Sequence, residues 1–189
     1  MSDSNVEVHN AFEVIKNGGI ILFPSDTVWG IGCDATNEEA ILKINQLTHK
    51  ELSTEAIVLM NSDRMLYTVF KEVPEVAWQI LDLSERPTTL ILDNPRNVAA
   101  SLISNEKSLG FRLVKEPFCY KLLERMKKPL AVTSANVSGM FFPKSFKEIS
   151  PEIIKGVDYV VNLQQERILM DLHSVIKIKS NSEFKIIKK

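Results

Sequence analysis

The chain has 189 residues, enough for one domain that buries roughly two-thirds of its unfolded surface and needs no disulfide or structural metal to fold. Hydrophobic residues make up 44% and charged residues 25%, which excludes disorder as the default, and a net charge of −1 excludes a global field for nucleic acid. Cys33, Cys119 and the scattered His9, His49 and His173 have no zinc-site spacing, the start from Met1 to Glu7 is too polar for a secretory signal, and no apolar run reaches the ~18 residues of a membrane span. A reduced, cytoplasmic setting is the expectation.

In chain order, Val6 to Lys16 carries a roughly helical set of apolar positions and stops at Asn17-Gly18-Gly19, a good C-cap. Ile20 to Phe23 reads as a buried strand ending at Pro24. The stretch from Ser25 to Asp34 reads as a glycine-containing loop, and Thr36-Asn37-Glu38-Glu39 has the capping-box spacing that opens a helix through Ala40, Ile41, Ile44 and Leu47. Ala56 to Met60 is a second buried strand. Asn61 or Ser62 caps a helix to about Phe70, and another starts at Pro74 and runs to Leu83. Strands follow at Thr88 to Leu92 and Gly110 to Leu113, then a helix from Glu116 to Met126, then strands at Leu130 to Thr133 and Val157 to Val161. Val175 to Ile178 and Phe184 to Ile187 form a terminal hairpin across Ser180-Asn181-Ser182. Interleaved strands and helices predict an α/β sheet with helices packed on it, and the hairpin makes that sheet mixed.

Several segments carry chemistry. Pro24-Ser25-Asp26-Thr27 follows a strand, where open α/β sheets place ligands; the hydroxyls of Ser25 and Thr27 suit an amine or carboxylate, and Asp26 suits a neighbour or a metal, although the same residues also make an ordinary turn. In Val132-Thr133-Ser134-Ala135-Asn136-Val137-Ser138-Gly139 a strand again runs into uncharged donors and acceptors, suited to a phosphate or to a capping turn. Arg112 sits inside a short strand; its guanidinium either reaches a carboxylate or phosphate or snorkels to solvent. Five lysines (Lys177, Lys179, Lys185, Lys188, Lys189) crowd the last thirteen residues against one Glu183: a protected strand edge, or one that faces phosphate or RNA.

Pro24-Ser25-Asp26-Thr27-Val28-Trp29-Gly30-Ile31-Gly32 resembles the P-T-D-T-V-Y-G-L-G opening of the YrdC-like family, Gly110-Phe111-Arg112 resembles its G-[IV]-R strand, and Ser134-Ala135-Asn136-Val137-Ser138-Gly139 is similar to its S-A-N-x-S-G. Order and spacing agree from about Phe12 to Ile178. The resemblance implies a single YrdC-like domain over residues 1–189: a twisted, mixed, open α/β sheet of the YrdC/RibB type, with flanking helices and a large positively charged cavity. It implies an L-threonylcarbamoyladenylate synthase, a nucleotidyltransferase that makes threonylcarbamoyl-AMP and pyrophosphate from threonine, bicarbonate and ATP for a tRNA modification. ATP would be a substrate accompanied by Mg2+, with no tightly bound cofactor. Partners would be tRNA or other double-stranded RNA and the downstream threonylcarbamoyl transferase complex, with no membrane.

By matching position, Thr27, Arg112 and Ser174 would bind threonine, and Lys50, Thr54, Ser108, Ser134, Asn136 and Lys188 would bind ATP, Lys188 or Lys185 replacing an arginine of the last strand. No covalent catalytic residue is implied. One motif departs from the family. Its K-x-R-x-x-x-[KN] stretch is Thr48-His49-Lys50-Glu51-Leu52-Ser53-Thr54 here, with Glu55 following. A lost lysine removes a charge beside a triphosphate, and Arg to Lys removes the bidentate fork. An alternative therefore stands beside the enzyme: a YrdC-like nucleotide- or RNA-binding protein with weakened or lost adenylation.

Overall fold

The computed structural model describes residues 3–169, 173–179 and 183–188. Helix α1 (Asp3–Lys16) ends at Gly18, where φ of +79° is the left-handed conformation that glycine adopts without strain. Strand β1 (Ile21–Pro24) is wholly buried, and the chain turns directly into β2 (Trp29–Asp34), an antiparallel partner that sets Phe23 opposite Gly30.

This β2 is the main departure from the expected elements. Gly30 and Gly32 belong to a strand, not a loop, and the reason is crowding. A Cβ on Gly30 would lie 2.8 Å from Val132 Cγ1, and one on Gly32 would lie 2.9 Å from both the Ala131 carbonyl oxygen and the Phe23 ring. Glycine two residues apart keeps one face of the strand open to close approach.

Helix α2 (Glu38–Thr48) is capped by Asn37, whose side chain accepts from the Ala40 N–H, not by Thr36. Thr36 instead donates its hydroxyl to Asp34 Oδ1 at 2.7 Å, closing the turn after β2. A short α3 (Leu52–Glu55), unforeseen in the sequence, leads into β3 (Ile57–Met60). Helices α4 (Asp63–Val69, capped by Ser62) and α5 (Glu75–Leu83) precede β4 (Thr88–Asp93) and β5 (Ser108–Leu113). Helix α6 (Pro117–Met126) has Glu116 at its cap and Pro117 in its first turn, and β6 (Leu130–Ser134) follows. A second unforeseen helix, α7 (Pro151–Gly156), precedes β7 (Tyr159–Val160). Strands β8 (Ser174–Ile178) and β9 (Phe184–Lys188) form the expected antiparallel pair, and the predicted turn at residues 180–182 lies outside the described residues.

The nine strands make one mixed sheet in the order β7-β1-β2-β6-β3-β5-β4-β8-β9. Pairs β1–β7, β3–β5 and β4–β8 are parallel, and the others are antiparallel. The core lies between the sheet and its helices. Phe70 and Phe111 meet at 5.4 Å between ring centroids, and Phe23 packs on Phe118. No helix among the described residues is long and apolar enough to cross a membrane.

Candidate functional site

Two adjoining cavities open between the β1–β2 turn, β3, β5, β6 and β8. The first, about 450 Å³, is lined by Ser25, Thr27, Gly30, Arg112, Thr133, Ser134, Phe142 and Lys188, among others. The second, about 520 Å³, is lined by Thr54, Thr89, Ser104, Glu106, Ser108 and Lys177, among others. Glu55, Ile57 and His173 line both and form their shared wall.

The first cavity is built around Arg112, which is 4% exposed. Its Nη1 donates to Asp26 Oδ1 at 2.6 Å and to Thr27 Oγ1 at 3.2 Å, while Nε and Nη2 donate to Thr89 Oγ1 at 3.3 and 3.2 Å. A buried guanidinium needs such partners, and Asp26 supplies the charge that offsets its desolvation. A guanidinium has five N–H groups, so this arrangement leaves one on Nη2 for a ligand. Thr27 is held in turn by Ser25, whose hydroxyl lies 3.3 Å away, donates to the Val28 carbonyl at 2.6 Å and accepts from the Thr27 N–H. Thus Thr27 and Arg112, 85 residues apart, are in direct contact. Asp26 orients a neighbour, one of the two roles open to it in the sequence.

On the side of the hydroxyl-and-amide turn, Lys50 is 5% exposed. Its ammonium donates to Ser134 Oγ at 2.8 Å, the Ser134 carbonyl at 2.9 Å, Asn136 Oδ1 at 2.9 Å and Thr133 Oγ1 at 3.3 Å. Burial pulls this ammonium down to about 8, with Glu55 acting in the opposite direction. Lys50 thus holds the loop after β6 from behind. It lies outside the lining of either cavity, as does Asn136, whose amide donates to the Val137 and Met140 carbonyls. Thr48 is buried at the end of α2 with its hydroxyl bonded to the Ile44 carbonyl, so it does not face the cavities.

Of the residues expected to hold threonine, Thr27 and Arg112 line the first cavity; Ser174 lies beside it in β8, paired with Thr88, while its neighbour His173 forms the wall. Of those expected to hold ATP, Ser134 and Lys188 line the first cavity, Thr54 and Ser108 line the second, and Lys50 and Asn136 stand behind Ser134. Thr89 gave no signal in the sequence, because a threonine in a strand is ordinary; only the fold brings it under Arg112. Trp29, where the family pattern has tyrosine, is fully buried 5.1 Å from Phe146 between ring centroids and takes no part in the lining. Both cysteines are buried with thiols pushed up by desolvation, which makes them inert as nucleophiles.

A model for the family of Sua5, YciO and YrdC, described as "Telomere recombination", matches residues 13–189. The chain belongs to the Sua5/YciO/YrdC family. A Methanocaldococcus jannaschii relative, named as a putative threonylcarbamoyl-AMP synthase, is 31% identical over 150 residues, 79% of this chain and 70% of that protein. The threonylcarbamoyl-AMP synthase of Haemophilus ducreyi is 30% identical over 131 residues, 68% of this chain and 71% of its own. The Pyrococcus abyssi synthase is 27% identical over 158 residues, and the match spans 46% of that longer protein.

Among solved structures, Escherichia coli YciO superposes with a TM-score of 0.82 at 21% identity, over 98% of this chain and 89% of its own. P. abyssi Sua5 complexed with L-threonine gives 0.79 at 23% identity, over 90% of this chain and 50% of its own. These neighbours share the twisted mixed sheet with flanking helices expected of the Sua5/YciO/YrdC fold.

Proposed function

We propose that the chain makes threonylcarbamoyl-AMP. Threonine's amine combines with bicarbonate to form a carbamate with loss of water, a carbamate oxygen attacks the α-phosphorus of ATP, and pyrophosphate leaves. The observation that carries the reading is the convergence of Thr27, Arg112 and Ser134 on one hollow although they are far apart in the chain. The remaining Nη2 N–H of Arg112 and the Thr27 hydroxyl suit the amino acid's carboxylate. Ser134, Ser108, Thr54 and Lys188 suit the nucleotide, with Lys50 and Asn136 acting through Ser134 and Ser174 supporting the amino-acid end. Holding three reactants in one place is worth roughly 7–11 kcal/mol of barrier, which is why such a site needs no covalent nucleophile. Among the described residues no group of three or more His, Cys, Asp or Glu side chains makes a metal site, so Mg2+ would arrive on the triphosphate. The product would pass to a transferase that modifies tRNA in the cytoplasm.

A second reading has its own observation. The Lys50 ammonium is surrounded by protein oxygens, Thr48 is turned into its helix, neither lines the cavities, and Glu55 adds a negative charge to the wall. Two charged hydrogen bonds fewer would slow adenylation by roughly two to four orders of magnitude. That leaves a protein that binds nucleotide or double-stranded RNA and turns over poorly. One measurement separates the two: pyrophosphate release from ATP, Mg2+, bicarbonate and threonine. Threonine-dependent release above a heat-killed control is expected of the synthase; its absence, with ATP binding intact, leaves the second reading.

A further inference from the structure

The wall between the two cavities carries a charge that the departing motif introduces. Glu55 ends α3, immediately before β3, and lines both cavities. Among the described residues it is the one carboxylate in the first cavity's lining; its backbone carbonyl accepts from Thr133 Oγ1, and its charge acts on the Lys50 ammonium. The other carboxylate near that cavity, Asp26, is committed to Arg112. The cavity is therefore lined by three charged side chains: the Arg112 guanidinium, which keeps an N–H to give, the Lys188 ammonium and the Glu55 carboxylate.

The spacing of Arg112 and Glu55 is set by the sheet. Arg112 pairs with Leu59 on β3, and Glu55 lies four residues before Leu59. Four extended residues are about 13 Å of backbone. Both side chains line the first cavity. A lone carboxylate beside a cavity repels phosphate and attracts ammonium.

We propose that Glu55 is the specificity-determining residue for the amine of the amino-acid substrate: its carboxylate accepts hydrogen bonds from the substrate's α-ammonium while Arg112 and Thr27 take the α-carboxylate. The site then selects α-amino acids over the corresponding α-hydroxy acids. This rests on the reading of the first cavity as a threonine site and adds a residue to it. The stretch around Glu55 contributes a positive charge in the family motif; here the wall is acidic, so recognition of the amine is strengthened where contact with the triphosphate is weakened.

The test is calorimetric binding to the full chain of two probes, L-threonine and 2,3-dihydroxybutanoate, in which a hydroxyl replaces the amine. Wild type is expected to prefer threonine by roughly 10–100-fold, the range of one charge-assisted hydrogen-bonded pair. Glu55→Gln is expected to shrink that preference to about threefold or less while leaving binding of the hydroxy acid and of Mg-ATP unchanged, and Glu55→Asp to restore part of it. A Glu55→Gln protein that keeps the full preference overturns the role of Glu55 and leaves the threonine site standing. A loss of Mg-ATP affinity with the preference intact also overturns it, by assigning Glu55 to the nucleotide. Wild type that binds neither acid removes the threonine reading and this inference together.

Discussion

Arg112 is the most exacting test of how the site is held. Replacing it with methionine keeps much of the aliphatic stem but removes a guanidinium that serves Asp26, Thr27 and Thr89 at once. Breaking a buried ion pair by removing one partner costs about 3–5 kcal/mol, because the other charge remains. The Asp26 side chain is 14% exposed and so is partly rehydrated, which places Arg112→Met near the lower end, about 3 kcal/mol. Asp26→Asn leaves the arginine with three neutral contacts and should cost about 1.5–3 kcal/mol, the worth of a hydrogen bond between charged groups. If the two side chains act as a pair, the double variant recovers about 1.5–3 kcal/mol relative to the sum of the singles. Urea denaturation of the four proteins measures this directly, with unchanged slopes confirming a common denatured state. Additivity within about 0.5 kcal/mol would refute the claim that Asp26 compensates the buried guanidinium. Arg112→Lys sharpens the result: one ammonium cannot reach all three partners, so it should lose stability and threonine affinity although the charge is kept.

The crowding at β2 predicts that Gly32→Ala destabilises the chain by about 1–3 kcal/mol, since the new methyl meets the Ala131 carbonyl and the Phe23 ring; thermal melts showing no loss would mean that β2 and β6 are not so closely apposed. The buried Lys50 gives a pH prediction. Its folded value, about 8, lies below the ordinary lysine value of about 10.4, so the unfolded chain binds the extra proton between them and stability rises with pH over that interval. Denaturation of wild type against Lys50→Met from pH 7.5 to about 10.5 should show this gain in wild type alone; parallel curves would show that the four oxygens around the ammonium hold its proton in spite of burial.

How much was legible beforehand varies with the physics involved. The apolar runs at β1, β3 and β6 were plain, because a strand covered on both faces needs hydrophobic residues throughout. The β2 strand was hidden, since Gly30 and Gly32 look like loop residues until Phe23 and Val132 are placed against them. The capping-box spacing pointed to Thr36, but Thr36 is taken up by Asp34 in the turn, and Asn37, the stronger cap by propensity, accepts from the Ala40 N–H instead. In the site, the polar residues after β1 and β6 could be picked out by their position at strand ends. What no linear pattern reveals is which of them face a ligand and which hold their neighbours. Lys50 and Asn136 are charged or polar like Ser134, yet they stand one layer behind it.

The sheet order places β6, residues 130–134, between β2 and β3, both of which are made well before it. A chain emerging from the ribosome therefore completes β1 to β5 while the gap between its two halves is still empty, and the Lys50 ammonium has no Ser134 to close on until that fourth-from-last strand is in place. The Lys50–Ser134 contact closes a loop of some eighty residues, one of several long-range closures that the sheet order requires. A nascent chain halted before residue 134 would hold two half-sheets and no pocket.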